Sequence, residues 1–313
     1  MNSIIPSGGL GFAAARLPGL QKVWDKGFTG KGVGVAVIDS GVAPLIDYAD
    51  RLVAWHDVSS PHSTVPVDPV GHGSISAGCV GGDGLHKGVA PDANIIGVRI
   101  KGTHDVEDAL KWVIDNKDEY NIRVVNMSLG IRPADRHQGI ESLCAQAFEA
   151  GLLICASMGN DSGRAPACMP AVLPNVIGVG AYDDRQTADL SDDDVASFSN
   201  HGDPGSLPIK PDVLAPGVDL MVPVPKDSLL AKSNGSNTGY MKSQGTSEAA
   251  PYVSGLAAIL AGANPELSPG ELGDILRNSA SSHLDREPWE QGHGLVQADV
   301  ALELALMASS KSA

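Results

Sequence analysis

Apolar residues in this chain follow two rhythms. Nearly unbroken apolar runs at Val33 to Ile38, Asn94 to Arg99, Arg123 to Leu129, Leu152 to Ser157 and Asn175 to Ala181 read as strands. Elsewhere the spacing turns helical. Val106, Leu110, Val113 and Ile114 share one face, and Ile140, Leu143, Cys144, Ala147 and Phe148 share another, with Gly151 suited to ending that helix. Val253, Leu256, Ala257 and Leu260 mark a late helix, and a further one is expected from Pro269 to Ala280.

Strands such as VGVAVI and NVIGVGA leave no face for water, as parallel strands covered on both sides require. Their alternation with helices predicts an α/β fold with three layers: a doubly wound, mostly parallel sheet with helices on both faces. In such sheets reactive groups collect at the carboxyl ends of the strands. No internal repeat or linker interrupts the 313 residues, so one domain is expected.

Composition narrows the picture. Hydrophobic residues make up 42% and aromatics only 4%, so the core must be aliphatic and alanine-rich. The 37 glycines and 21 prolines form no low-complexity block and fit shaped loops. A formal net charge of −15 argues against nucleic acid as a partner and fits plain solubility. Acids gather at Asp183, Asp184, Asp189 and Asp192 to Asp194, which read as an exposed loop or, alternatively, a metal site. Cys79, Cys144, Cys155 and Cys168 form no CxxC pair, so no zinc knuckle is expected. Cys144 and Cys155 read as buried thiols, and spacing leaves a disulfide open. MNSIIPSGGLGF is not a signal peptide, and no run approaches the roughly 18 apolar residues of a membrane span. The expectation is a cytoplasmic chain, or a secreted one already trimmed of its export segments.

Three stretches carry chemistry. VAVIDSG places Asp39 at a strand end, DPVGHGSISAG places His72 at a helix start, and GTSEAAP places Ser247 at another. Singly, an Asp there is an ordinary turn residue, a His a polar contact and a Ser an N-cap. Together they supply a hydroxyl nucleophile, a base that titrates near working pH, and a carboxylate to orient that base.

In this order and these contexts the motifs resemble those of the subtilisin-like serine proteases, the subtilase family, from about Val23 to Leu304. The resemblance implies a catalytic domain over residues 23–313 behind an extension over 1–22. It assigns Asp39, His72 and Ser247 as catalytic residues of a serine endopeptidase. VVNMSLG resembles the family's substrate-binding strand, which implies that Ser128, Leu129 and Gly130 line the specificity pocket. ICASMGN resembles the stretch carrying the oxyanion asparagine, which implies Asn160 for that role and Ser157, Met158 and Gly159 beside the substrate. KPDVLAPG and GHGLVQADVAL resemble the family's late loop and C-terminal helix. Protein or peptide substrates are implied, with neither nucleic acid nor membrane, and no cofactor is required.

The chain departs from the family at five places. Ser74 stands where threonine is usual, and Glu248 where methionine is usual. Glu248 reads either as a first-turn acid that suits the helix dipole or as a specificity-modulating carboxylate on the leaving-group side that also raises the pKa of His72. Cys168 aligns with the pocket floor, before the Met169-Pro170 bond that the family commonly has in cis, and implies cleavage after medium apolar residues such as Leu or Met. Gly82 to Gly88 is shorter than the family's calcium loop, which puts the strong calcium site in doubt while leaving structural calcium elsewhere open. Ile4-Ile5-Pro6 resembles the element that lies across the active site in intracellular subtilisins, so residues 1–22 read as an autoinhibitory segment or as a plain disordered start. Three functional readings stand: a general endopeptidase, a dedicated maturation protease for one partner or peptide leader, and an inactive binding protein of the same fold.

Overall fold

The computed structural model describes residues 16–59, 62–85, 87–132, 137–162, 167–187, 190–282 and 285–309. Among them, β1 (Gly34–Asp39), β2 (Leu52–Asp57), β3 (Asn94–Arg99), β4 (Ile122–Met127), β5 (Leu153–Ser157), β6 (Val176–Asp183), β7 (Asp194–Val195) and β8 (Val213–Pro216) form one sheet. The order is β2-β3-β1-β4-β5-β6-β7, with β8 also on β6. Every pairing is parallel except β6 with the two-residue β7. A separate antiparallel pair joins β9 (Leu220–Pro223) to β10 (Tyr240–Ser243).

The helices are α1 (Leu20–Asp25), α2 (His72–Gly81), α3 (Val106–Asn116), α4 (Gln138–Glu149), α5 (Leu229–Ser233), α6 (Thr246–Ala263), α7 (Pro269–Asn278), α8 (Pro288–Gln291) and α9 (Ala298–Ser309). Alternate residues along β1 face opposite layers, as the two-residue repeat of a strand dictates. Val35 and Val37 pack with residues of α2 and α6, while Ala36 and Ile38 pack with residues of α3 and α4. The three-layer α/β architecture expected from the apolar runs is the one observed.

Two features of this frame position the site. The chain winds from β1 outward to β3 and β2 on one side, and onward to β4 and β5 on the other. The crevice at the carboxyl ends of β1 and β4 is therefore the topological switch point, where such sheets bind ligands. Second, α6 is buried on all sides from Glu248 to Ala261, so it runs through the core, with Ser247 half-buried at its amino end. That end lies against the same crevice, because Ser128, just past β4, bonds to Ser247.

Candidate active site

Asp39 is the last residue of β1 and His72 the first of α2. The Nδ1 of His72 lies 2.8 Å from Asp39 Oδ1 and 2.9 Å from Oδ2. Asp39 also accepts the Ser40 amide at 2.7 Å and the Ser76 hydroxyl at 3.3 Å, so its two oxygens are fixed around the ring. Behind them stands Asp68, a residue the sequence reading did not single out. Its carboxylate accepts the Ser40 hydroxyl and the amides of Gly71 and Ser74, each at 2.8 Å. It thereby caps α2 and ties the Asp39 loop to the His72 helix. Ser74 keeps a hydroxyl where threonine was expected, and that hydroxyl accepts the Ala43 amide at 3.0 Å.

Ser247 lies in the first turn of α6, at the positive end of the helix dipole. Pro251 lies four residues on and has no N–H to give to the Ser247 carbonyl. The Ser128 hydroxyl fills that place at 2.7 Å. Asn126 donates to Ser128 at 3.0 Å and accepts from Ser254 at 2.9 Å, closing a buried chain between β4 and α6. Gly245, just before the helix, admits no side chain: a Cβ there would fall 2.6 Å from Glu248 Oε2, 2.9 Å from Ser247 Oγ and 3.0 Å from Asn160 Nδ2. The Asn160 amide nitrogen thus faces the same small space as the Ser247 hydroxyl. Its orientation is set by Thr246, whose amide and hydroxyl both donate to Asn160 Oδ1 at 2.9 Å.

Ser157, Met158 and Gly159 run beside Leu129 and Gly130. Ser157 donates to the Leu129 carbonyl at 3.3 Å, and Cys168 N–H donates to the Met158 carbonyl at 3.0 Å. Cys168 is buried between two glycines: a Cβ on Gly130 would lie 2.9 Å from its Cβ, and one on Gly159 would lie 3.0 Å from its Sγ. Burial pushes the Cys168 thiol up. The following Met169-Pro170 bond is cis. On the other flank, Asp39, His72, Ser128, Leu129 and Gly130 share a cleft of about 280 Å³ with Val70, Ile100 and Lys101.

The electrostatics are unusual at Glu248. Its carboxylate is buried; Oε2 accepts the Ser247 hydroxyl at 2.8 Å and Oε1 accepts the Ser243 hydroxyl at 2.6 Å. Among the described residues no hydrogen bond joins Ser247 to His72. Burial pulls the His72 pKa down, but Asp39, Glu248 and Asp68 together outweigh it and raise the imidazole to about 9.

In the Gly82–Gly88 loop, Asp83 faces the Lys87 ammonium at 3.3 Å, a resident competitor for any cation. In the acidic stretch, Asp183 pairs with Arg185, Asp184 with Arg16 and Asp194 with Arg286, while Asp189 lies outside the described residues. Asp193 is buried with neither oxygen bonded, and burial together with the charge of Asp184 raises it to about 7, so it is largely protonated below neutral pH. Among the described residues no group of three acids, histidines or cysteines is placed to hold a metal. Ile4-Ile5-Pro6 also lies outside the described residues.

Comparison with known proteins places the chain in a family. The subtilase family, Peptidase S8, matches residues 30–294. Serine protease AprX of Bacillus subtilis is 36% identical over 294 residues, covering 87% of this chain and 66% of that protein. The chain thus spans just under two thirds of AprX. Subtilisin BL of Lederbergia lenta is 30% identical over 288 residues, covering 88% of this chain and 93% of that protein. Among solved structures, a protease of Pseudoalteromonas arctica shares the fold with a TM-score of 0.75 at 24% identity, over 92% of this chain and 95% of that one. A cold-adapted subtilisin-like serine proteinase superposes with a TM-score of 0.69 at 28% identity, over 86% and 90% of the two chains. With the family match running across the whole sheet and every motif of the site, the chain belongs to the subtilase family of peptidases.

Proposed function

We propose that this chain is a serine endopeptidase that cleaves protein or peptide substrates through an acyl-enzyme. The observation that carries the reading is the two-point bond between Asp39 and His72 in a cleft also lined by Ser128, whose hydroxyl bonds the Ser247 carbonyl at a helix amino end. In this mechanism the Ser247 Oγ attacks the scissile carbonyl carbon while His72 Nε2 takes its proton. Asp39, bonded to Nδ1, holds the ring in the tautomer that leaves Nε2 free to accept, and it stabilises the imidazolium. Negative charge on the tetrahedral oxygen is met by Asn160 Nδ2, the Ser247 N–H and the positive end of α6. Collapse breaks the C–N bond, and His72 hands its proton to the leaving amine. Water, deprotonated by His72, then cleaves the ester.

Cys168 between Gly130 and Gly159 supports a shallow pocket without charge, and hence cleavage after medium apolar residues such as Leu or Met. A peptide library dominated by Arg would refute that preference. The dedicated-protease reading draws support from Glu248, which restrains the nucleophile, and it expects casein to survive. The inactive reading expects no labelling at all. Residues 1–22 as a plug would show as faster labelling after trimming. Four unpaired buried cysteines suit a reducing cytoplasm, although two relatives carry "extracellular" in their names. Among the described residues no helix is long and apolar enough to cross a membrane.

The test is intact mass after a fluorophosphonate probe, with Ser247→Ala alongside. One adduct on the wild type and none on the variant supports an activated Ser247. No adduct on the wild type, whole or trimmed, moves the binding-protein reading to the front.

A further inference from the structure

The endopeptidase mechanism makes no use of Glu248, yet its carboxylate accepts the nucleophile's own hydroxyl. The residue is 2% exposed, and each carboxylate oxygen takes one hydroxyl, from Ser247 at 2.8 Å and from Ser243 at 2.6 Å. A serine hydroxyl has one proton. While that proton points at Glu248 Oε2, it is not directed at His72, and among the described residues no hydrogen bond joins Ser247 to His72. To react, the hydroxyl must give up a charge-assisted hydrogen bond and turn. The same negative charge lies beside the oxygen that attacks, and near the site where the oxyanion forms, so it opposes the charge that builds there.

We propose that Glu248 is a positioning residue that latches the Ser247 hydroxyl in an idle orientation, so that the site rests restrained and reacts only when Ser247 is released to His72. This rests on the endopeptidase reading and adds regulation to it. Ser243, at the end of β10, belongs to the device. Its hydroxyl shares the carboxylate and so weakens the hold on Ser247. Glu248 also favours charged His72, together with Asp39 from β1 and Asp68 from the segment before α2, while Lys101 after β3 is the cation in the adjoining cleft. Idle hydroxyl and charged base act in the same direction.

The experiment compares the full-length wild type with Glu248→Gln, Glu248→Met and Ser243→Ala, using Ser247→Ala as the blank. Two quantities are read: the second-order rate of fluorophosphonate labelling, and kcat and KM against pH on one fluorogenic peptide. Loss of a charge-assisted bond predicts labelling roughly 10- to 100-fold faster in both Glu248 variants. It also predicts kcat raised with KM unchanged, and the acid limb moved to lower pH. Ser243→Ala keeps Glu248 in place, so it tests the latch even if the Glu248 variants fold poorly; its labelling is expected to slow. Labelling and acid limb unchanged in both Glu248 variants would overturn the latch and leave Glu248 as a helix-capping acid. Slower labelling in properly folded Glu248 variants would overturn it in the opposite sense, with Glu248 assisting the nucleophile. No labelling of any protein would remove the endopeptidase reading itself. An inert wild type with reactive Glu248 variants would support the latch in its strongest form.

Discussion

The Ser40 hydroxyl donates to Asp68 at 2.8 Å, and through that bond the loop carrying Asp39 is fastened to the helix carrying His72. Asp68 spends its remaining capacity on the Gly71 and Ser74 amides. Neither end of the bond touches a reacting atom, yet both decide where the imidazole stands. Asp68→Ala is expected to leave buried donors unmatched, costing about 3 kcal/mol of stability. It should also lower kcat at unchanged KM. Urea denaturation alongside steady-state kinetics checks both, and loss of stability with kcat intact would deny the positioning role.

With His72 raised to about 9, the proposed mechanism predicts an alkaline pH profile. Below that pH the imidazole already holds a proton and cannot take another from Ser247, so kcat/KM should rise toward pH 9 and level off above it. Stability runs the other way. The folded state binds this proton more tightly than the unfolded chain, so the stabilising contribution is complete below the ordinary value of about 6.5 and is lost as pH rises through about 9. A kcat/KM profile with an acid limb near 6.5 would contradict the electrostatics described here.

Asn160 is oriented by Thr246 through two bonds to Oδ1. In subtilisin itself, loss of one oxyanion donor costs about 10²–10³ in kcat, and that magnitude is carried over to Asn160→Ala. Thr246→Val removes the hydroxyl bond and keeps the amide bond, so a smaller loss of roughly tenfold is expected. Equal losses in the two variants would mean that Thr246 does more than orient the amide.

Cys168 packs against Gly130 and Gly159, where the proposed pocket has its floor. Cys168→Gly should move the preference from Leu toward Phe after the scissile bond's acyl side, with the kcat/KM ratio of the two changing by about 10-fold or more. Matched Leu and Phe peptides read this directly. An unchanged ratio would place the floor elsewhere.

Lys210 is 4% exposed, and its ammonium donates to the Val176 carbonyl at 2.6 Å and to Asp212 at 2.7 Å. Arg277 from α7 bonds the other Asp212 oxygen at 3.0 Å, so β6, β8 and α7 meet on one carboxylate. Burial lowers the Lys210 pKa, but the Asp212 charge acts against this. Lys210→Met should cost about 3 kcal/mol, since removing one partner of a buried pair leaves the other less compensated. Denaturant midpoints check it, and a variant as stable as the wild type would mean that Arg277 alone suffices.

The central strands were legible because burial on both faces leaves continuous apolar runs, as at β1 and β3. Strand β2, LVAWHD, was not, because it is an edge strand whose residues are mostly half-buried and include a histidine stacked on Trp112. Asp39, His72, Ser247 and Asn160 were legible as motif residues. Asp68 and Thr246 were not singled out, because their work consists of bonds to backbone amides and to an asparagine 86 residues away, which leave no pattern in the sequence. The direction of the Ser247 hydroxyl is a rotamer, decided by a neighbour whose identity the sequence showed and whose reach it did not.

The burial of α6 has a consequence for survival. A helix buried along its length has no stable place outside its slot, so Ser247 is positioned only while α6 stays packed in the core. For the endopeptidase proposed above, a copy that loosens there loses its activity as it becomes a substrate. Self-digestion then needs an intact copy and an opened copy together. It should be slow in the cold and slow again when every copy is unfolded, and fastest near the melting midpoint, where both populations are large.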